Sequence, residues 1–410
     1  MNEKKILFVV LDGGGDLPVS ELDNLTPVEA ASTPVLDNLS AKGLCGLMDV
    51  LKPGMVPGSD TAHLALLGYD PFDKYIYSGR GPVEAAGIGL VVHPGDIAFR
   101  ANFATLKNGI IIDRRAGRIN KRTDELAKLI NGREIDGIKI LFKEGTEHRG
   151  ALILRGPGLS ADVTSNDPKV EGWPPRPFEA SSIEGKRTAD VLNKLVNQLA
   201  RKLPLLAANE ERREQGKNEA NYLLVRGAGE AMLLPAFGGK QGIKPVCIAG
   251  GGLYKGVATL TGMKVLDVPE ATGGIDSDFH IKVKRSLKCL DDDSYNFVFL
   301  HIKATDNAGH DGKPLIKKNI FERIDSALEP ILEYKDIVIA LSPDHSTPCS
   351  LKDHSCDPVP CFITAPGRRT DSAKKFGERF AMQGSLTGIR GKHFMNLVFG
   401  LANRNKKFGS

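Results

Sequence analysis

Five residues in the last third of the chain carry side chains of the types that ligate metal ions. Asp306 and His310 stand in D-N-A-G-H, Asp344 and His345 are neighbours in S-P-D-H-S, and His354 follows in K-D-H-S. Two carboxylates and three imidazoles are too many for one zinc ion with an open position, and about right for two ions sharing a site. Paired divalent ions point to phosphate chemistry. The D-x3-H spacing predicts that Asp306 and His310 lie on one side of a helical turn. Asp344 and His345, as neighbours, need a strand-end loop to present them, and His354 is within reach of that loop.

Asp12 closes the first apolar run and precedes three glycines, which permit sharp turning or a close backbone approach to a ligand. A helix or turn cap is the plain alternative; the downstream cluster favours a metal ligand. Ser59, in P-G-S-D-T-A-H, opens an Ala/Leu-rich helical stretch. It could act as an N-cap. A helix N-terminus also receives phosphate, and a hydroxyl on a divalent ion can ionise near neutral pH and attack phosphorus. His63 lies one helical turn on. The other histidines (His93, His148, His280, His301 and His393) read as structural.

Arg100, Arg114, Arg115, Arg118 and Arg149, with the amide of Asn102, form an unusual supply of donors able to clamp a carboxylate or phosphate. Arg80 in S-G-R-G-P and Lys255 in G-G-L-Y-K-G lie beside glycines at expected turns and are further anion contacts.

The elements that must position these groups are legible as short apolar runs: Ile6–Leu11, Tyr222–Val225, Pro245–Ala249, Phe297–Ile302, Ile337–Leu341 and Cys361–Ala365. Such runs suit strands buried on both faces, and strands of a parallel sheet deliver their C-terminal ends to one edge. Helical periodicity over Thr188–Leu203 and Asn319–Tyr334 supplies crossovers, so the expected class is α/β. Between about 91 and 187 polar and apolar residues alternate, as in D-I-A-F-R-A-N-F, which predicts antiparallel strands with one wet face. That segment reads as an inserted α+β subdomain between 1–90 and 188–410, with Trp173-Pro-Pro-Arg-Pro as a stiff return. Asn209–Asn221 reads as a solvated loop.

A chain of 410 residues, 41% hydrophobic and 26% charged, has the composition of an ordinary globular protein, which argues against disorder. The net charge of +5 suits a small anionic substrate, and no basic run is interleaved with aromatics, so nucleic acid is not expected. The run Ile6–Leu11 is too short for a signal peptide or a membrane span. The six cysteines lack a C-x2-C pair and read as buried thiols. A thiolate zinc site from Cys349, Cys356 and Cys361 is disfavoured, because thiolates would compete with the carboxylates for a softer metal.

By these residues the chain resembles the alkaline phosphatase superfamily and, more narrowly, the archaeal type of cofactor-independent phosphoglycerate mutases. The resemblance is carried by V-V-L-D-G-G-G-D at Asp12, V-P-G-S-D-T-A-H-L-A-L-L-G-Y-D-P at Ser59, Y-S-G-R-G-P-V-E-A-A-G-I-G at Arg80, D-I-A-F-R-A-N-F-A-T at Arg100, K-A-T-D-N-A-G-H-D-G at Asp306 and S-P-D-H-S-T-P. It implies an alkaline-phosphatase-like, mostly parallel sheet flanked by helices, with the insertion at 91–187 as a substrate-binding lid. It implies one ion on Asp306, His310 and His354, and a second on Asp12, Ser59, Asp344 and His345. Mn2+ is the usual metal, with Zn2+ or Co2+ as alternatives, and no bisphosphoglycerate is needed.

The reaction implied is interconversion of 3-phosphoglycerate and 2-phosphoglycerate in glycolysis and gluconeogenesis, through a phosphoserine on Ser59. Lys255 would neutralise developing charge, and Arg80, Arg100, Asn102, Arg114 and Arg118 would hold substrate. The partner is then a small phosphoglycerate, with neither nucleic acid nor membrane; a homo-oligomer is left open. Missing targeting signals and a place in central carbon metabolism imply the cytoplasm. A phosphatase, a phosphodiesterase or a phosphopentomutase would share the core, although phosphopentomutases use Thr where this chain has Ser59. A non-catalytic metal-dependent binding protein is the reading from another class, against which the intact ligand set speaks.

Overall fold

The computed structural model describes residues 2–270, 272–407 and 409. They form two compact units, one from residues up to 76 together with those from 234 onward, the other from 77 to 233. In chain order the strands are β1 (Lys5–Leu11), β2 (Gly43–Met48), β3 (Ile97–Lys107), β4 (Ile110–Asp113), β5 (Glu134–Ile135), β6 (Ile138–Glu144), β7 (Arg149–Arg155), β8 (Tyr222–Glu230), β9 (Pro245–Ile248), β10 (Lys264–Leu266), β11 (Phe297–Ile302), β12 (Ile337–Ser342) and β13 (Val359–Thr364).

The first unit holds a seven-stranded sheet in the order β10-β9-β11-β1-β12-β13-β2. β10, β9, β11, β1 and β12 pair in parallel, whereas β13 runs antiparallel to both β12 and β2. Both faces of β1 are covered, which is why its run is apolar without alternation. Leu7, Val9 and Leu11 share a core with Ile320, Phe321 and Ile324 of the helix Pro314–Leu328. Phe8 points the other way, 5.9 Å from Phe394 of the helix Gly391–Leu401. The pairing sets Leu11 beside Ile302 and Val10 beside Ser342, so β1, β11 and β12 end at one edge. Asp12 and Lys303 follow directly, and Asp344 comes two residues after Ser342. The helix expected over Asn319–Tyr334 starts earlier, at Pro314, and tightens into a 3-10 turn over Glu329–Glu333. Pro330 removes a backbone donor at that point.

The second unit is an antiparallel sheet, β4-β3-β7-β6-β5, with β8 also paired to β3. It is wider than the insertion at 91–187 read from the sequence. Tyr222–Val225 belongs to β8 here, not to the parallel sheet, and pairs with β3 from Ala104 to Ala101. The helix Lys186–Lys202 turns Val191, Leu192, Leu195, Val196 and Leu199 into the core of this same unit, which also holds Phe99 and Phe103. Trp173 accepts a hydrogen bond from Ile111 N at 2.9 Å, so its proline-rich stretch is part of the unit and not a return from it. Asn209–Asn221 is not a plain loop: the helix Ala207–Glu214 covers its first half. Asn209 is buried and accepts from Ala220 N at 2.7 Å while donating to Leu203 O at 2.8 Å. Among the described residues no helix is long and apolar enough to cross a membrane.

Candidate metal centre

The helix Ser59–Leu66 begins at Ser59 itself, after Gly58, and no side chain caps it. The hydroxyl is therefore free of capping, and Ser59 Oγ lies 3.2 Å from His345 Nε2. The same imidazole nitrogen stands 3.6 Å from Asp12 Oδ1 and 3.3 Å from Asp344 Oδ2. Both of those carboxylate oxygens are buried without a hydrogen-bond partner. Buried acceptors gathered round one another with no donor among them are costly unless a cation lies between them. Asp12, Asp344 and His345 thus form a donor set that fits a divalent ion, with the Ser59 hydroxyl at its side. Asp344 Oδ1 is fixed separately, by Gly13 N at 2.9 Å. Gly13 has a φ of +59°, and a Cβ there would come within 2.7 Å of Asp306 Oδ1, so this turn requires glycine.

The second group centres on Asp306. In the helix Ala304–His310, Asp306 Oδ1 lies 3.4 Å from His310 Nε2 and 3.8 Å from Nε2 of His354. The Nδ1 atoms of these rings are engaged elsewhere, at 2.9 Å from Lys352 O for His310 and 2.8 Å from Pro57 O for His354. A carbonyl can only accept, so each Nδ1 carries the proton and each Nε2 keeps its lone pair. His345 is set in the same way through Thr347, whose hydroxyl donates to Asp306 Oδ1 at 2.9 Å and meets His345 Nδ1 at 3.1 Å. One hydroxyl therefore joins the two groups. His345 also stacks on His354 with ring centroids 3.6 Å apart, and its ligand atom groups with those of Asp306 and His354 as well. His310 and His354 come together a second time with the exposed Asp353. No cysteine joins these groups among the described residues.

Electrostatics prepares the set. Burial opposes ionisation of Asp12, yet the Lys303 ammonium and the His301 hydrogen bond hold its carboxyl well below the usual carboxylate range. Asp306 is likewise lowered: burial opposes its ionisation, but Lys303 together with His345 and His310 overcomes that opposition. Burial and the charge of Asp12 push Asp344 well above its ordinary value. Burial, aided by the neighbouring His354, brings His345 down to about 3, so its ring is neutral at physiological pH. Two of these actors escaped the sequence reading. His301 Nε2 lies 3.1 Å from Asp12 Oδ2, and its ring stacks on Tyr254 at 3.5 Å. Lys303 reaches both Asp12 and Asp306. The signal that could have found them is position: both sit where β11 ends, at the same edge as Asp12. His63 also belongs to the centre, with Nδ1 2.6 Å from Ser59 O and 3.3 Å from Asp344 Oδ2.

Residues 40–209 match the family described as 2,3-bisphosphoglycerate-independent phosphoglycerate mutase. Over 411 aligned residues the chain is 47% identical to the protein of that description from Methanosphaera stadtmanae, covering 99% of this chain and 100% of the relative. The chain belongs to this family. It is also similar in structure to a solved protein of Pyrococcus horikoshii, at a TM-score of 0.86 and 38% identity, with 100% of each chain covered. The solved cofactor-independent phosphoglycerate mutase of Thermoplasma acidophilum is similar at a TM-score of 0.70 and 38% identity, covering 97% of this chain and 100% of that one.

Within the second unit of this family member the arginines gather, with unequal freedom. Arg100 is nearly buried; desolvation and the charges of Arg80, Arg226 and Arg149 lower its pKa to about 9 against the pull of Glu84, and its Nε has no partner. Asn102 Oδ1 is buried and unpartnered too. Arg80 Nε donates to Glu84 at 2.9 Å. Arg114 forks onto Asp167 at 2.9 and 2.8 Å, and Arg226, which the sequence reading missed, shares that carboxylate. Arg118 adopts a left-handed backbone, φ +52°, and its charge, with those of Arg149, Arg115 and Arg100, adds to burial in holding His148 down to about 3. In the first unit Lys255 pairs with Asp267 at 3.2 Å, and the Lys303 ammonium touches the carboxylates of Asp12 and Asp306.

Proposed function

We propose that this chain interconverts 3-phosphoglycerate and 2-phosphoglycerate without bisphosphoglycerate, through a phosphoserine on Ser59. The observation that carries the reading is the Ser59 hydroxyl, uncapped and 3.2 Å from His345 Nε2, beside two carboxylate oxygens that lack donors. Asp306, His310 and His354 hold one divalent ion; Asp12, Asp344, His345 and Ser59 hold the other, with Mn2+ as the metal expected from the family. Such ions polarise the phosphoryl oxygens and lower the pKa of a bound hydroxyl.

The chain's own residues then have defined tasks. Ser59 Oγ bonds to phosphorus as the ester bond to glycerate breaks, and the serine proton passes overall to the departing oxygen. The reverse step, from the other glycerate hydroxyl, yields the isomer and restores Ser59. His63 holds the backbone carbonyl of Ser59 and so fixes the first turn of its helix. In the second unit, Arg100, Asn102, Arg80 and Arg118 are assigned to glycerate: the unpartnered Arg100 Nε–H can donate to its carboxylate, and the unpartnered Asn102 Oδ1 can accept from a hydroxyl. Arg114, already forked onto Asp167, supports that cluster. Keeping glycerate bound between the two transfers is what separates a mutase from a phosphatase, and we assign that lid role to the second unit. Lys255, whose ammonium pairs with the exposed Asp267 at 3.2 Å, is assigned to neutralise charge building on the phosphoryl and leaving oxygens.

The test is incubation of the Mn2+-loaded protein with 3-phosphoglycerate alone, followed by assay for the 2-isomer and for free phosphate. The 2-isomer as main product is expected. Ser59→Ala should abolish it while leaving Mn2+ uptake largely intact, and near-normal turnover in that variant would refute the covalent route. Free phosphate as main product would make the protein a hydrolase.

A further inference from the structure

Asp12 and Asp306 divide the labour of their two oxygens in the same way. Asp12 Oδ1 faces His345 Nε2 at 3.6 Å, and Asp306 Oδ1 faces His310 and His354 at 3.4 and 3.8 Å. Their remaining oxygens share one ammonium: Lys303 Nζ lies 2.7 Å from Asp306 Oδ2 and 3.4 Å from Asp12 Oδ2, which His301 Nε2 also meets at 3.1 Å. The sheet dictates this arrangement. Leu11 pairs with Ile302, so Asp12 and Lys303 leave adjacent parallel strands together, and Asp306 sits three residues on in the helix that follows. The ring of Tyr254 backs the ammonium, its centroid 5.5 Å from Nζ.

We propose that Lys303 is a positioning residue and fixed third cation of this centre: it takes up Oδ2 of both carboxylates, so that each offers Oδ1 to an ion, and its charge strengthens the loaded centre's hold on a phosphate dianion. The inference rests on the two-ion reading above. Three ionised aspartates, two divalent ions and this ammonium leave a formal surplus of two positive charges, which a phosphate monoester dianion cancels. Without Lys303 the surplus is halved. A role confined to fold stability would leave the affinity of the loaded centre for phosphate unchanged.

The experiment is calorimetric titration of the metal-stripped protein with Mn2+, then of the Mn2+-saturated protein with inorganic phosphate, for wild type, Lys303→Met and Lys303→Arg. Wild type is expected to take up two ions; fewer would count against the two-ion reading itself, independently of the variants. Lys303→Met is expected to keep the wild-type stoichiometry while its phosphate affinity falls by about tenfold or more, the scale of one lost charge-assisted contact. Lys303→Arg, which retains the charge and the donors, is expected to recover most of that loss, and KM for phosphoglycerate should follow the same order. Wild-type phosphate affinity in Mn2+-saturated Lys303→Met would overturn the proposal, as would a loss that arginine does not repair. Should Lys303→Met fail to fold, Lys303→Gln keeps a donor without the charge and must show the same drop.

Discussion

Replacing Thr347 by Val tests the link between the two halves of the centre. Thr347 is fully buried, its hydroxyl donates to Asp306 Oδ1, and it is the partner of His345 Nδ1. Valine keeps the branched shape and removes only these contacts. Its backbone stays anchored by other means, since Thr347 N donates to Gly15 O at 3.1 Å and Thr347 O accepts from Lys317 at 3.0 Å. A hydrogen bond to a charged acceptor contributes about 1.5–3 kcal/mol, and a buried N–H left without a partner costs about 1–3 kcal/mol. Freed of its tautomeric lock, His345 can put a proton on the nitrogen that faces Asp12, Asp344 and Ser59. Loss of such an outer contact typically lowers metal affinity by about 10- to 100-fold. Mn2+ titration followed by calorimetry is the assay, with circular dichroism to check the fold. Because Thr347 touches both groups, both ions should weaken. A folded Thr347→Val protein that binds both with wild-type affinity would refute the assignment of the imidazole tautomers.

Two further outcomes are expected. Burial pushes the Glu378 carboxyl up to about 7, against the Thr26 hydroxyl and Asp16 N–H that favour its anion. The folded protein thus keeps a proton that the unfolded chain releases near pH 4.3, so stability declines as pH rises from there to about 7, by roughly 3 kcal/mol, and then levels off. Glu378→Gln should flatten that decline in urea melts of the metal-free protein between pH 5 and 8; equal slopes for the two proteins would contradict it. In the second unit, Arg100→Leu should raise KM for phosphoglycerate by about tenfold or more while leaving Mn2+ affinity unchanged. An unaltered KM would remove Arg100 from substrate recognition.

The candidate ligands were legible in the sequence because strand ends and helical spacing are local patterns. Asp12 closes an apolar run, and Asp306 and His310 do fall on one helical turn. What sequence could not supply was lateral order. His301 lies inside an apolar run and reads as a core residue until β11 is known to neighbour β1. Lys303 then becomes the neighbour of Asp12. The unit boundary was misplaced for a related reason. The apolar face of Lys186–Lys202 signals burial without saying against which sheet, and β8 reads as any short buried strand until it pairs with β3. The charged run after Leu206 hid a short helix because its buried anchor is Asn209, a polar residue satisfied from within.

The place of β1 has a bearing on biosynthesis. The strand is made first, yet both its neighbours, β11 and β12, lie some three hundred residues downstream. A polypeptide leaving the ribosome must carry this greasy segment unpaired while the whole of 77–233 is synthesised. Only when the last quarter emerges can Asp12 meet Asp344 and His345, so a product truncated before β11 would lack the candidate centre.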